Sequence, residues 1–176
     1  GRAVDLEAFR ELANEYNLWI IEDACHAPGG YFKDSKNNKH LCGNCNFADL
    51  AIFSFHPVKS ITTGEGGMVS SNIEEIVKLA RSFSWWGRDC FCIGPANLLK
   101  NGSCNCRFSN WIKELPYQID HKYFFTQIGY NLKPLDLQGG IGLAQLKKSD
   151  KFHEIAKEIP LVKKLIETGY TGRKGK

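Results

Sequence analysis

Apolar residues recur at helical spacing from Asp5 to Tyr16, where Leu6, Phe9, Leu12 and Ala13 share a face and Asp5 stands in the N-cap position. Polar breaks then frame three short apolar runs, Leu18 to Glu22, Ala48 to Phe55 and Gly67 to Ser70. Each suits a short strand. A helix followed by such a strand predicts an α/β unit built on a mostly parallel sheet. Between the first two runs, Lys33 to Asn46 is polar, carries Gly43 and several asparagines, and reads as a surface excursion. Helical spacing returns at Asn72 to Phe83, through Ile73, Ile76, Val77 and Ala80. It returns again at Asp136 to Lys148, through Leu137, Ile141 and Ala144 with Leu143 and Leu146 beside them. More helical pattern runs from Asp150 to Thr168, with Pro160 expected to kink or divide it, and the chain from Gly169 onward reads as a frayed end.

From Trp85 to Tyr117 the periodicity fails. That stretch holds four cysteines, three tryptophans and three glycines. A loop of this length inside a compact chain is usually functional, or is held by something other than core packing.

Composition adds bounds. The chain has 176 residues, 43% hydrophobic and 24% charged, which is ordinary for a soluble globular domain with a sizeable core. The net charge of +4 is concentrated in the tail Arg173-Lys174-Gly175-Lys176, which reads as a solvated end and not as a nucleic-acid contact. No apolar run approaches the roughly 20 residues that span a bilayer, and the first residues lack a signal-peptide pattern, so a cytoplasmic protein without a membrane partner is expected. Met68 is the only methionine, and the chain reads as an internal fragment of a longer protein. Its seven cysteines (Cys25, Cys42, Cys45, Cys90, Cys92, Cys104 and Cys106) are odd in number. That count argues against a disulfide framework and gives weight to metal or cluster ligation, with free reduced thiols as the other reading. Cys42-Gly43-Asn44-Cys45 would bind zinc only with further ligands.

The candidate chemistry centres on Lys59 and Asp23. Lys59 follows a strand-like run within Ser54-Phe55-His56-Pro57-Val58-Lys59 and precedes the turn Thr62-Thr63-Gly64-Glu65-Gly66-Gly67. Asp23 ends the run Ile20-Ile21-Glu22. An amine and a carboxylate at the ends of two neighbouring strands are what a pyridoxal phosphate site needs, one to bond the cofactor's aldehyde and the other to hold its ring nitrogen protonated. Ser54 can offer a hydroxyl to a phosphate, and the Gly-rich turn lets backbone approach a ligand closely.

Ile21-Glu22-Asp23-Ala24-Cys25-His26-Ala27, the Ser54–Lys59 segment with its Thr-Gly-Glu-Gly-Gly turn, Gly129-Tyr130-Asn131-Leu132-Lys133, and the later Asp136, Gln138, Ile141, Gly142 and Ala144-Gln145-Leu146 resemble the DegT/DnrJ/EryC1/StrS family. These are fold-type I pyridoxal phosphate enzymes that act on nucleotide-linked keto-sugars. The resemblance covers nearly the whole chain and implies part of the large domain of that fold, a mostly parallel sheet with flanking helices. It places residues 1–148 in a partial cofactor-binding domain with the Cys-rich loop at 85–117. Residues 149–176 then form an interdomain helix and the start of a C-terminal domain. It also implies roles. Lys59 matches the Schiff-base lysine, Asp23 the partner of the pyridine nitrogen, His26 a residue close to the cofactor ring or its phenolic oxygen, and Ser54 a phosphate-binding serine. Asn131 matches a residue that reaches the cofactor phosphate of the partner subunit, which implies a homodimer.

Within the family, Trp86-Gly87-Arg88-Asp89-Cys90-Phe91-Cys92, Cys104, Arg107-Phe108, Leu115-Pro116 and Asp120-His121-Lys122-Tyr123 are similar to the CDP-4-keto-6-deoxyglucose-3-dehydrase branch. That branch uses pyridoxamine phosphate and a [2Fe-2S] cluster, whose cysteines match Cys25, Cys90, Cys92 and Cys104. Cys106 is extra, and the gap from Cys92 to Cys104 is longer than the branch's usual spacing. The branch carries histidine where this chain has Lys59. A lysine restores the aminotransferase arrangement, so transfer of an amino group from a donor such as glutamate to a nucleotide-linked 4-keto-6-deoxy sugar is the leading expectation. Carbon-3 dehydration with an iron–sulfur cluster is the alternative, and a non-catalytic Cys-rich metal-binding module is a third reading of another class. The fragment alone is expected to bind pyridoxal phosphate weakly and to turn over no substrate.

Overall fold

A computed structural model describes residues 3–88, 107–108 and 114–167. The chain divides into two compact units, one of Gly1–Ile73 with Pro134–Lys176, the other of Glu74–Lys133.

The first unit begins with helix α1 (Leu6–Tyr16), close to the expected bounds. The Asp5 carboxylate accepts the Ala8 N–H at 3.3 Å. The helix stops at Asn17, which takes the left-handed conformation (φ 52°) while the Leu18 N–H bonds back to Ala13 O at 2.8 Å. Leu6 and Ala13 are buried, whereas Phe9 and Leu12 of the same stripe are exposed.

Strand β1 (Ile21–Asp23) starts later than the apolar run predicts. The Leu18 N–H is spent on the helix end, and the Ile20 N–H is taken at 2.7 Å by the Asp49 carboxylate, which also binds Arg10 at 2.9 Å. Backbone donors committed in this way cannot join a ladder, and Leu18 and Trp19 are exposed accordingly.

A hairpin of β2 (Tyr31–Lys33) and β3 (Lys39–Leu41) begins just before the polar excursion and runs into it. The Asp34 carboxylate organises its turn by accepting from Lys36 N, Asn38 N and Asn38 Nδ2. Phe32, His40 and Phe47 pack their rings together beneath it.

Strand β4 (Leu50–Ser54) is the centre of the main sheet, whose order is β1-β4-β5. It pairs in parallel with β1, with Asp23 opposite Ile52, and antiparallel with β5 (Gly67–Ser70), with Phe53 opposite Met68. The sheet is therefore mixed among the described residues. Ala24 and Ala51 are fully buried where β1 and β4 meet. Cys45 is also buried and donates its thiol to Ser70 O at 3.3 Å. After the second unit, helices α3 (Asp136–Leu146), α4 (Ser149–Glu158) and α5 (Pro160–Glu167) follow, and Pro160 divides the last two as its missing N–H dictates. The apolar positions Leu137 and Leu143 of α3 are exposed, and it is Gly142 that is buried.

The second unit opens with α2 (Glu74–Ser84). Its end is tied to the segment before Lys133 by backbone bonds, Trp86 N to Tyr130 O at 2.8 Å, Tyr130 N to Phe83 O at 2.7 Å and Leu132 N to Ser84 O at 3.0 Å. Arg107 and Asp120 form a two-pronged ion pair in this unit.

Candidate active site

Both arms of the site leave the sheet at the carboxyl ends of parallel neighbours. After Asp23, the Ala24 N–H bonds to Ile52 O of β4 at 2.9 Å and the chain turns, with Ala27 N reaching Ala24 O at 2.9 Å. The Asp23 carboxylate accepts the Cys25 N–H at 3.0 Å. Hydrogen bonding from the Cys25 thiol and amide holds Asp23 below the ordinary carboxylate range, helped by the nearby charges of Lys59 and His26. The same contact pushes the Cys25 thiol upward. The turn displays His26, which is exposed.

The second arm starts at Ser54, the last residue of β4. Its hydroxyl oxygen accepts the His56 N–H at 3.4 Å. Pro57 then helps close a turn in which Lys59 N bonds to His56 O at 2.9 Å. The turn brings the half-buried Lys59 back over the first arm, and Lys59 Nζ lies 2.6 Å from His26 Nε2. An ammonium has no acceptor site, so Lys59 donates and the imidazole accepts.

The Thr/Gly turn fixes the far side of this loop. Thr62 Oγ1 and Thr63 N both bond to Phe55 O at 3.0 Å, and Phe55 N bonds to Gly66 O at 2.8 Å. Gln138 of α3 donates to Glu65 O at 2.9 Å, and its side-chain oxygen accepts the Leu135 N–H at 2.7 Å. Sequence reading placed Gln138 in a family block without a role. The structure makes it the strap between α3 and the lysine loop.

Lys59 and His26 are thus in direct contact, and their charges help to hold the Asp23 carboxyl down. Ser54 sits at the root of the same loop. Asn131 is exposed in the second unit, where its backbone bridges to Trp85. Cys90, Cys92, Cys104 and Cys106 lie outside the described residues. Cys25, Cys42 and Cys45 are free thiols, and no cluster of three or more metal-ligating side chains occurs among the described residues. Nor is any described helix long and apolar enough to cross a membrane.

The residues present fit a pyridoxal phosphate. The Lys59 side chain has no carboxylate partner within hydrogen-bonding range among the described residues, and its ammonium contacts an imidazole. Asp23 stays ionised. The Ser54 hydroxyl proton has no acceptor among the described residues and is available to a phosphate oxygen.

Residues 1–164 match the model of the DegT/DnrJ/EryC1/StrS aminotransferase family. Among curated relatives, the lipopolysaccharide biosynthesis protein RfbH of Salmonella typhimurium is 40% identical over 154 residues, which cover 88% of this chain and 33% of that protein. A dTDP-4-dehydro-2,6-dideoxy-D-glucose 3-dehydratase of Saccharopolyspora spinosa is 37% identical over 86% of this chain and 30% of its own. Among solved structures, Helicobacter pylori PseC, an aminotransferase involved in the biosynthesis of pseudoaminic acid, superposes with a TM-score of 0.55 at 28% identity, covering 84% of this chain and 31% of that one. The chain therefore spans about a third of the length of the curated relatives it matches.

Proposed function

We propose, since this chain belongs to the DegT/DnrJ/EryC1/StrS aminotransferase family, that its protein transfers an amino group to a nucleotide-linked 4-keto-6-deoxy sugar for surface polysaccharide or deoxysugar synthesis. Pyridoxal phosphate is the cofactor of this reading and an amino acid such as glutamate is the donor. The observation that carries it is the 2.6 Å contact between Lys59 Nζ and His26 Nε2 beside the ionised Asp23. When bound, the cofactor supplies an electrophilic carbon and a ring that stores an electron pair. Lys59 supplies the amine that holds that carbon. His26 accepts a hydrogen bond from Lys59 Nζ and holds that amine in place. Asp23 holds a proton on the ring nitrogen by its negative charge, and Ser54 donates its hydroxyl to the phosphate.

In this reading residues 1–148 belong to the large cofactor-binding domain and 149–176 lead into a C-terminal one. The full-length protein works as a homodimer, with Asn131 serving the partner's cofactor phosphate. Covalent capture tests it. Borohydride reduction of the protein loaded with pyridoxal phosphate is expected to fix the cofactor on Lys59, as seen by peptide mass spectrometry, with no labelling in Lys59→Ala. Labelling elsewhere, with Lys59 unmodified, would refute it.

A second reading is carbon-3 dehydration with a [2Fe-2S] cluster on Cys25, Cys90, Cys92 and Cys104. It is favoured by the 37% identity to a 3-dehydratase. Stoichiometric iron and acid-labile sulfide, lost in Cys90→Ser or Cys92→Ser, would select it over amino transfer.

A further inference from the structure

Gln138 of α3 uses both ends of its amide, and the two ends serve different partners. Its side-chain oxygen accepts the Leu135 N–H at 2.7 Å, which closes the start of the helix. Its Nε2 donates to Glu65 O at 2.9 Å, across to the Thr/Gly turn. Among the described residues, two hydrogen bonds join residues 55–66 to segments other than β4 and β5. One is the Lys59 contact with His26, and the other is this one. Closing a helix start needs the oxygen alone, so the bond to Glu65 has a consequence of its own. The helix also meets the turn without a hydrogen bond. Gly142 is buried, and a Cβ there would stand 3.0 Å from Thr63 Cγ2. Residues 138 and 142 share one face of α3, so that face lies against the turn at two points.

Glu65 passes this anchorage toward Lys59. Its carbonyl also accepts the Thr63 hydroxyl at 2.6 Å, so both lone pairs of that oxygen are engaged. Its carboxylate lies 3.9 Å from His56 Nε2, beyond hydrogen-bond length but close enough for electrostatic attraction. His56 Nδ1 accepts the Val58 N–H at 3.2 Å, which places the ring proton on Nε2, the nitrogen that faces Glu65. His56 O accepts the Lys59 N–H at 2.9 Å. His56 is therefore the hub of the lysine turn, and Glu65 bears on that hub while being held from behind by Gln138.

We propose that Gln138 is a positioning residue for Lys59. Acting through Glu65 and His56, it holds the loop so that the Lys59 amine stays over His26. This deepens the reading of function above and rests on it for the role of Lys59. An amine that must meet one carbon of a bound cofactor gains rate from being held in place, and a supporting residue away from the reacting atoms is what holds it.

Gln138→Glu, made in the whole chain, separates the two ends of the amide. The carboxylate keeps an oxygen for the Leu135 N–H and removes the donor to Glu65 O. The ring resonances of His26 report the lysine contact without any cofactor, and Lys59→Ala supplies the shift that marks its loss. Gln138→Glu is expected to move the His26 resonances in that same direction and to leave those of His40, in the hairpin, unchanged. Hydrogen exchange should quicken about threefold to tenfold at the Lys59 and Thr63 amides, the worth of one lost hydrogen bond. It should stay unchanged at the Gly139 amide, which bonds to Leu135 O in the first turn of α3. Fixation of pyridoxal phosphate on Lys59 by borohydride should slow by a similar factor. Should Gln138→Glu disturb His40 as well, Gln138→Ala, which removes both bonds without adding a charge, decides in its place. His26 resonances and loop exchange that match the parent chain's would overturn the proposal. A parent chain that fixes no cofactor on Lys59 would overturn the reading of function instead, and the His26 and exchange measurements would still decide the role of Gln138.

Discussion

Gly87→Ala is expected to be the most damaging glycine-to-alanine change among the described residues of the second unit. Gly87 has φ 79°, where a non-glycine residue costs about 1–2 kcal/mol. The added methyl would also overlap the Gln127 carbonyl oxygen, approach the Gln127 carbonyl carbon to 2.5 Å and stand 3.1 Å from Gly129 N. All three are backbone atoms, which cannot swing aside as a side chain would. Overpacking of that kind costs about 1–3 kcal/mol. The total is about 2–5 kcal/mol, a large share of a small domain's stability. Gly64→Ala is the internal control. Gly64 has a similar angle, φ 83°, but nothing lies within 4 Å of the methyl, so only the conformational part of about 1–2 kcal/mol remains. Urea titration of the two variants, with hydrogen exchange read at Trp86, Gly87, Thr126, Gln127 and Tyr130, measures the difference. Gly87→Ala should speed exchange at those amides and Gly64→Ala should not. Equal midpoints, or unchanged exchange in Gly87→Ala, would refute the reasoning.

Three further outcomes are expected. Asp49→Ala removes the acceptor of Ile20 N and of Arg10, and should cost about 2–3 kcal/mol in chemical denaturation, with lost protection at the Ile20 amide. His40 and Asn38 hold the Asp34 carboxyl down from an ordinary 3.8 to about 2. Its depressed value means that its contribution to the hairpin is complete above pH 4 and is lost as pH falls toward 2, and Asp34→Asn should abolish that acid limb when followed by the His40 ring resonances. Alkylation followed by peptide mass spectrometry should modify Cys45 more slowly than Cys25, because Cys45 is buried with its thiol directed at Ser70 O whereas Cys25 is partly exposed.

Much of this was legible in the chain. The helices around Leu6, Ile76 and Ile141 announced themselves by period, and Asp23 by its place at a strand end. What escaped had physical reasons. The hairpin of Tyr31–Lys33 and Lys39–Leu41 has three residues a side, too few for alternation to register, and is organised by Asp34 more than by apolar pairing. The first strand was placed too early because apolar content at Leu18 and Trp19 does not reveal that the donors of Leu18 and Ile20 are already engaged. The direction of the third strand, antiparallel to its neighbour, is not encoded in its composition at all. Lys59 was found through its turn, yet its contact with His26 depends on a fold-back at Pro57 that no spacing rule describes.

The reversal between Leu50–Ser54 and Gly67–Ser70 makes the intervening dozen residues a closed handle on an antiparallel pair of strands. Its register is locked below by Phe53 opposite Met68, and its neck by Phe55 against Gly66. Position 59 can therefore be rewritten without renegotiating any pairing. A scaffold of this kind lets evolution exchange one reactive side chain for another in a single step, so relatives with different chemistries can share almost unchanged architecture.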